Sequence, residues 1–263
     1  MMSKQTVTLR ASGFRGEVIN DHDLQRALAG DSPRFQNWPR TVLKHDADVE
    51  SGFIRPPDAP YSLFYKRYPR QGWRRMLGFF GITSRARHVW HISRHLHARG
   101  VPIARPVGYL DGRRESWFFC EALEHCRSFN DHLAANTLPE AEAITEKVTR
   151  ALAALHDADV VHRDFKWGNI LWSDCGDVVI ADLDGARRCS KPERPAVARD
   201  LARFLTNGLE AGLKRHWALD FISRYCALRG LDEASLLPAV AETIDTISRR
   251  HRKRYGRAAV SLN

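Results

Sequence analysis

Residues 160–185 read VVHRDFKWGNILWSDCGDVVIADLDG, and their oxygen-bearing side chains are spaced for phosphoryl transfer. Asn169 follows Asp164 by five positions, and Asp182 closes a second apolar run. Transfer of a γ-phosphoryl group asks little covalent chemistry of a protein: a carboxylate to orient the attacking hydroxyl, and oxygen ligands to hold a metal against the phosphates. Asp164 suits the first task, Asn169 and Asp182 the second. The apolar runs 170–172 and 178–180 flank a polar turn containing Gly176, which predicts a hairpin. Such a hairpin carries Asn169 and Asp182 to the same end. Taken singly, a His, two Asp and an Asn between strands are turn and capping residues. The fixed spacing of all of them together favours a site.

The segments HRDFKWGNIL and IADLDG resemble the catalytic and metal-binding loops of the protein-kinase-like fold. Within that fold, residues 40–210 are similar to the bacterial lipopolysaccharide-core kinases, the heptose and Kdo kinase family. The stretch FYKRYPRQGWRRMLGFFGITSRARHVWHISRHLHARGVPIARPVGYL carries much of that likeness. The resemblance implies an α+β, two-lobed fold with a small antiparallel-sheet N-lobe and a mainly helical C-lobe. The divisions expected are an N-terminal extension over 1–39, the N-lobe over 40–122 and the C-lobe over 123–263. ATP and Mg2+ are the implied cofactors. Asp164 and Lys166 would be catalytic, Lys66, Lys166, Asn169 and Asp182 would face the nucleotide, and Asn169 and Asp182 would hold the metal. His162 and Arg163 would brace the loop. The implied acceptor is a sugar hydroxyl of the lipopolysaccharide core, heptose or Kdo, or another anionic glycan. Two other readings stand beside it: a small-molecule kinase of the aminoglycoside-phosphotransferase type, and a kinase-like scaffold that binds nucleotide without transferring phosphate.

A chain of 263 residues can bury a sizeable core and suits one domain or two closely joined lobes. The formal net charge of +10 bears on anionic partners rather than on fold. No acidic residue falls within 59–110, while Lys66, Arg67, Arg70, Arg74, Arg75, Arg85, Arg87, Arg94, Arg99 and Arg105 do, which predicts a cationic lobe. Nucleic acid is not the expected partner, because no recognition motif accompanies the charge. Five cysteines without a C-x-x-C pair argue against a disulfide framework or a zinc knuckle and fit a reducing cytoplasm. Neither a signal peptide nor an apolar run of membrane-spanning length is present, so membrane contact is expected to be peripheral, at the inner face of the cytoplasmic membrane. The charge run ISRRHRKRYGR reads either as a solvated, partly frayed terminus or as an anchor to anionic lipid.

The elements that must position these residues follow from periodicity. Three strand-like pieces at 40–44, 49–54 and 61–67 suggest an antiparallel sheet, with Lys66 ending the third. In the kinase-like fold that strand carries the lysine that grips the phosphates. The turn at 45–48 lacks the G-x-G-x-x-G pattern, and the helix expected over 83–99 has no Glu to pair with Lys66, which leaves Asp182, Glu50 and Asp111 as candidate partners. His88, His91 and His95 on that helix read as a solvated or phosphate-facing row rather than a metal site, for want of a nearby carboxylate or Cys. Residues 116–120 read as a buried strand and 121–125 as the inter-lobe linker. Residues 139–156 are an amphipathic helix at the core of the C-lobe. Three more helices follow: one after Asp200, one over 214–228, and one interrupted at Pro238. Only seventeen residues separate Asp182 from Asp200, without an Ala-Pro-Glu element, so a non-peptide acceptor is expected. Arg187 and Arg188 either hold an anionic group of that acceptor or are solvated surface residues.

Overall fold

The computed structural model describes residues 6–11, 13–21, 24–25, 28, 35–56, 61–70 and 84–262. Arg74, Arg75, residue 83 at the start of the expected helix, and parts of the N-terminal extension expected over 1–39 lie outside the described residues. The chain forms two compact units, one of residues 1–98 and 104–124, the other of residues 99–103 and 125–263.

The first unit is built on a seven-stranded antiparallel sheet. Its strands are β1 (Thr6–Ala11), β2 (Phe14–Ile19), β3 (Arg40–His45), β4 (Glu50–Ile54), β5 (Leu63–Pro69), β6 (Pro106–Gly112) and β7 (Glu115–Glu121), in the order β1-β2-β6-β7-β5-β4-β3. The sheet is larger than the sequence pattern suggests, because Thr6–Ala11 and Phe14–Ile19 are part of it. β2 pairs with β6 along Phe14 to Val18, and Phe35 packs edge-to-face on Phe14, Trp117 and Phe119 with ring centroids 5.0, 5.3 and 6.1 Å away. Aromatic burial of that size ties Phe14 and Phe35 to the sheet rather than leaving them on an appendage.

One helix of this unit, α1 (Arg85–His97), begins at Ser84, whose Oγ accepts from the Arg87 amide at 3.0 Å, and buries Ala86, Val89, Trp90, Ile92 and Leu96. Lacking an acid of its own, it is held by one from β2: Trp90 Nε1 donates to Glu17 at 3.2 Å, and Arg94 lies 3.7 Å from the same oxygen. His91 sits beside Arg87 and Tyr109, and burial lowers its pKa.

Four arginines of the basic stretch pair with acids from strands, Arg94 with Glu17 as above and three more. Arg67 pairs with Glu115 at 2.6 Å, Arg70 with Asp111 at 3.5 Å, and Arg105 with Glu121 at 3.6 Å. Sequence-local counting overlooks these neighbours because antiparallel pairing brings them in from more than ten residues away.

The second unit is mainly helical. Its helices are α2 (Phe129–Ala134), α3 (Ala141–Asp157), α4 (Arg194–Glu210), α5 (Arg215–Arg229) and α6 (Glu233–Tyr255). Short strands β8 (Cys126–Ser128), β10 (Ile170–Ser173) and β11 (Val178–Ile180) form one small sheet, and β9 (Val160–Val161) pairs with β12 (Arg187–Arg188) in another. Residues 99–103 join this unit through Ile103, which bridges to Ile180, and through the Pro102 carbonyl, which accepts the Ile180 amide at 2.7 Å. Phe204 centres an aromatic core with Phe129, Phe165, Trp167, Trp217 and Phe221.

The last helix is continuous through Pro238, against the interruption expected there. The ring removes only the bond to the carbonyl of Ala234, which is exposed and can turn to water, while Leu236, Val240 and Ile244 bury the opposite face. The chain end is docked rather than frayed: Leu262 is buried, its carbonyl accepts from Arg215 at 2.6 Å, and the Val260 amide reaches Ser248 at 2.9 Å. Among the described residues, no helix is long and apolar enough to cross a membrane.

Candidate active site

The hairpin of β10 and β11 pairs Ile170 with Ile180, placing Asn169 and Ala181 opposite each other at its end. The Ala181 amide donates to the Asn169 carbonyl at 2.8 Å, and His162 Nε2 lies 2.9 Å from the Ala181 carbonyl. Asp182, the next residue, is thereby fastened beside the loop that carries Asp164. It adopts φ 58° and ψ 64°, a left-handed conformation that Asp tolerates better than most residues, and opens the 3-10 turn Leu183–Gly185.

Asp164 sits in a net of side chains. Its Oδ2 accepts from Lys166 Nζ at 2.7 Å and Asn169 Nδ2 at 3.1 Å, and its Oδ1 accepts from Arg203 Nη1 at 2.8 Å. Asn169 Nδ2 also donates to the Asp164 carbonyl at 2.9 Å. The amide nitrogen is thus committed to Asp164, which leaves the Asn169 Oδ1 for a hard cation. Asn169 and Asp182 are oxygen donors of the kind that suit Mg2+, which retains waters and phosphate ligands instead of filling an all-protein cage. Among the described residues, no group of three or more His, Cys, Asp or Glu could hold a metal ion.

The loop takes its shape from helix α4. Asp200 is buried, and its two oxygens accept the amides of His162 and Arg163, each at 2.7 Å. These bonds support Arg163 at φ 69°, a conformation that costs a non-glycine residue about 1 kcal/mol or more. Farther along α4, Asn207 accepts the Trp167 amide at 3.0 Å. Asp200, Arg203 and Asn207 carry no role in the sequence reading. A signal was there: polar residues three and four apart on an amphipathic helix share one face, and a buried carboxylate must have partners.

Lys66 lies on β5, in the first unit. Strand alternation sends it to the face opposite Arg67, while Glu50 pairs with Arg67 across β4 and β5. Glu50 therefore drops out as a partner for Lys66. It accepts from the Tyr65 hydroxyl at 2.8 Å and meets His45 at 3.2 Å and Arg67 at 3.4 Å. Burial alone would raise the Glu50 pKa, but the Tyr65 hydroxyl with Arg40 and Arg67 brings it below the usual carboxylate value. Asp111 points to the Lys66 face, where it pairs with Arg70, and burial raises its pKa. On that face too, burial pushes the Cys120 thiol up to about 12, with Lys66 pulling the other way. Arg187 and Arg188 are exposed on β12, opposite Val161 and Val160.

Residues 70–225, more than half of the chain, match the model of the lipopolysaccharide kinase (Kdo/WaaP) family. The solved structure described as WaaP in complex with acyl carrier protein aligns with a TM-score of 0.61 over 81% of this chain and 90% of that one, at 23% identity, a likeness of fold. The serine/threonine-protein kinase TAO3 of Xenopus laevis is 38% identical over 73 residues, 26% of this chain and 8% of that kinase, so the chain spans a small part of that relative. The fold is that of the protein-kinase-like class. More narrowly, the chain belongs to the lipopolysaccharide kinase (Kdo/WaaP) family. Such a kinase family implies a nucleoside triphosphate and a divalent metal.

Proposed function

We propose that the protein transfers the γ-phosphoryl group of ATP to a sugar hydroxyl of the lipopolysaccharide core, on heptose or Kdo, with Mg2+ as the metal. The observation that carries this reading is the fastening of Ala181 to Asn169 and His162, which sets Asp182 beside the loop of Asp164. Asp164 receives the hydrogen bond of the acceptor hydroxyl and takes its proton as transfer proceeds. Asn169 and Asp182 would hold Mg2+, which would supply charge neutralisation at the phosphates. Lys166 adds positive charge at the transferring group, and Lys66 is assigned to the nucleotide phosphates. The short segment between Asp182 and Asp200 supports a glycan acceptor over a peptide.

The exposed end of α6 supports work at an anionic membrane surface, the inner face of the cytoplasmic membrane. Arg249, Arg250, Arg252, Lys253 and Arg254 are exposed there, and Arg254 and Arg257 flank the exposed Tyr255 ring at 5.4 and 5.6 Å. Each such cation near an anionic surface contributes about 1 kcal/mol of attraction.

The test is incubation with Mg-ATP and purified core oligosaccharide, followed by identification of the product. A phosphomonoester on heptose or Kdo is expected. Core recovered unmodified, with ATP consumed or not, would defeat the reading.

A further inference from the structure

Helix α4 touches the catalytic loop through one stripe of three polar side chains. Asp200, Arg203 and Asn207 are three and four residues apart and share a face. Two of them hold backbone: Asp200 takes the amides of His162 and Arg163, and Asn207 takes that of Trp167. The middle one, Arg203, holds a side chain, donating from Nη1 to Asp164 Oδ1 at 2.8 Å.

We propose that Arg203 is a positioning residue: it fixes the Asp164 carboxylate so that Oδ2 is the oxygen presented to the acceptor hydroxyl. This rests on the phosphotransferase reading above and deepens it. An aspartate carboxylate turns through a broad, nearly two-fold torsional profile, so its two oxygens exchange places unless something tells them apart. Here their partners differ in kind. Oδ2 is met by Asn169 and by Lys166, whose side chain is 47% exposed and flexible. Oδ1 is met by a planar guanidinium on a helix, and Arg203 Nε is buried with no hydrogen-bond partner, so the group is packed in place. A nucleotide phosphate can draw Lys166 away and free Oδ2, while Arg203 keeps Oδ1 engaged.

Stability is a poor explanation for the pair. Both side chains are about a third exposed, 35% for Arg203 and 32% for Asp164, and ion pairs of that exposure contribute little to folding. Rate is far more sensitive, since a misplacement of about 1 Å at a reacting group can cost roughly 10²-fold.

Arg203→Met and Arg203→Lys, compared with the parent protein, test the assignment through kcat and KM for core oligosaccharide, nucleotide affinity, and the Asp164 rotamer in crystal structures. Arg203→Met should lower kcat roughly 30- to 100-fold with KM and nucleotide affinity within about twofold. Arg203→Lys should fall between the two, because an ammonium can reach Oδ1 without the fork geometry. In the crystal of Arg203→Met the carboxylate should leave its original rotamer. Undiminished kcat, a loss expressed as raised KM, or an unmoved carboxylate would each overturn the proposal. A parent protein that does not phosphorylate core oligosaccharide defeats the functional reading instead, and the rotamer comparison then decides the role of Arg203 alone.

Discussion

The Tyr225 hydroxyl lies 2.6 Å from Nδ1 of His156, in a core where neither side chain meets water. His156 Nε2 lies 3.3 Å from Asp200 Oδ2, the same oxygen that takes the His162 amide. Burial lowers the His156 pKa and raises that of Tyr225, so the phenol donates to a neutral imidazole and Nε2–H donates to Asp200. The support of the Asp164 loop therefore ends in an imidazole that burial holds against protonation.

The sign of the pH effect follows. Above the unfolded His value of about 6.5, neither state binds the proton and His156 contributes no pH dependence. Below it, the unfolded chain takes a proton that the folded chain refuses, so stability falls as pH drops through that value toward the lowered folded pKa. The slope from this residue is at most about 1.4 kcal/mol per pH unit. Urea unfolding at pH 7.5, 6.5 and 5.5 should show the loss in the parent protein and a flatter profile in His156→Gln. Parallel profiles would remove His156 from the account.

Asp200→Ala should destabilise the protein by about 3 kcal/mol or more, because it strands the buried His162 amide, the part-buried Arg163 amide and the His156 ring without an acceptor. Asp200→Asn, which retains one acceptor oxygen, should cost less. Chemical denaturation of the three proteins measures this, and equal midpoints for parent and Asp200→Ala would contradict it.

Gly208 is needed for space. A Cβ there would come within 2.4 Å of two atoms of the Trp217 ring and 3.3 Å of Trp167. Replacing a helical glycine with alanine ordinarily gains up to about 1 kcal/mol. Overpacking a core typically costs about 1–3 kcal/mol, so Gly208→Ala should lower the melting temperature in spite of its better helix propensity. A raised melting temperature would show that the Trp217 ring can move aside.

Phe35→Ala tests whether the residues before β3 belong to the first unit. Phe35 is 2% exposed and packs on rings from β2 and β7, so its truncation should cost about 3–5 kcal/mol. A loss below about 1 kcal/mol, read by urea unfolding, would make the segment a loosely held appendage.

The hairpin and the loop before it were legible in the sequence because they are local: Asp164, Asn169 and Asp182 sit within nineteen residues, and a turn with Gly176 joins the two strands. The long helices were legible from their apolar period, although Pro238 was misleading because its ring faces solvent near the helix start. Nonlocal pairing was hidden. Nothing within residues 59–110 announces that Glu17, Asp111, Glu115 and Glu121 neutralise its arginines. Likewise the grip of Arg203 on Asp164 spans thirty-nine positions, and only the packing of α4 on the loop brings the two together. Glu50 could be set aside as a partner for Lys66 only once the register of β4 on β5 was known.

In the proposed reaction Asp164 is the group that receives the acceptor's proton. The most direct test is transfer of labelled γ-phosphate from ATP to core oligosaccharide by the parent protein and by Asp164→Asn, which keeps the shape of the side chain and loses its carboxylate. Transfer by the parent is expected, with a loss of roughly 10²- to 10⁴-fold in the variant and the same nucleotide affinity and far-ultraviolet circular dichroism in both. Transfer by Asp164→Asn at the parent rate would contradict it.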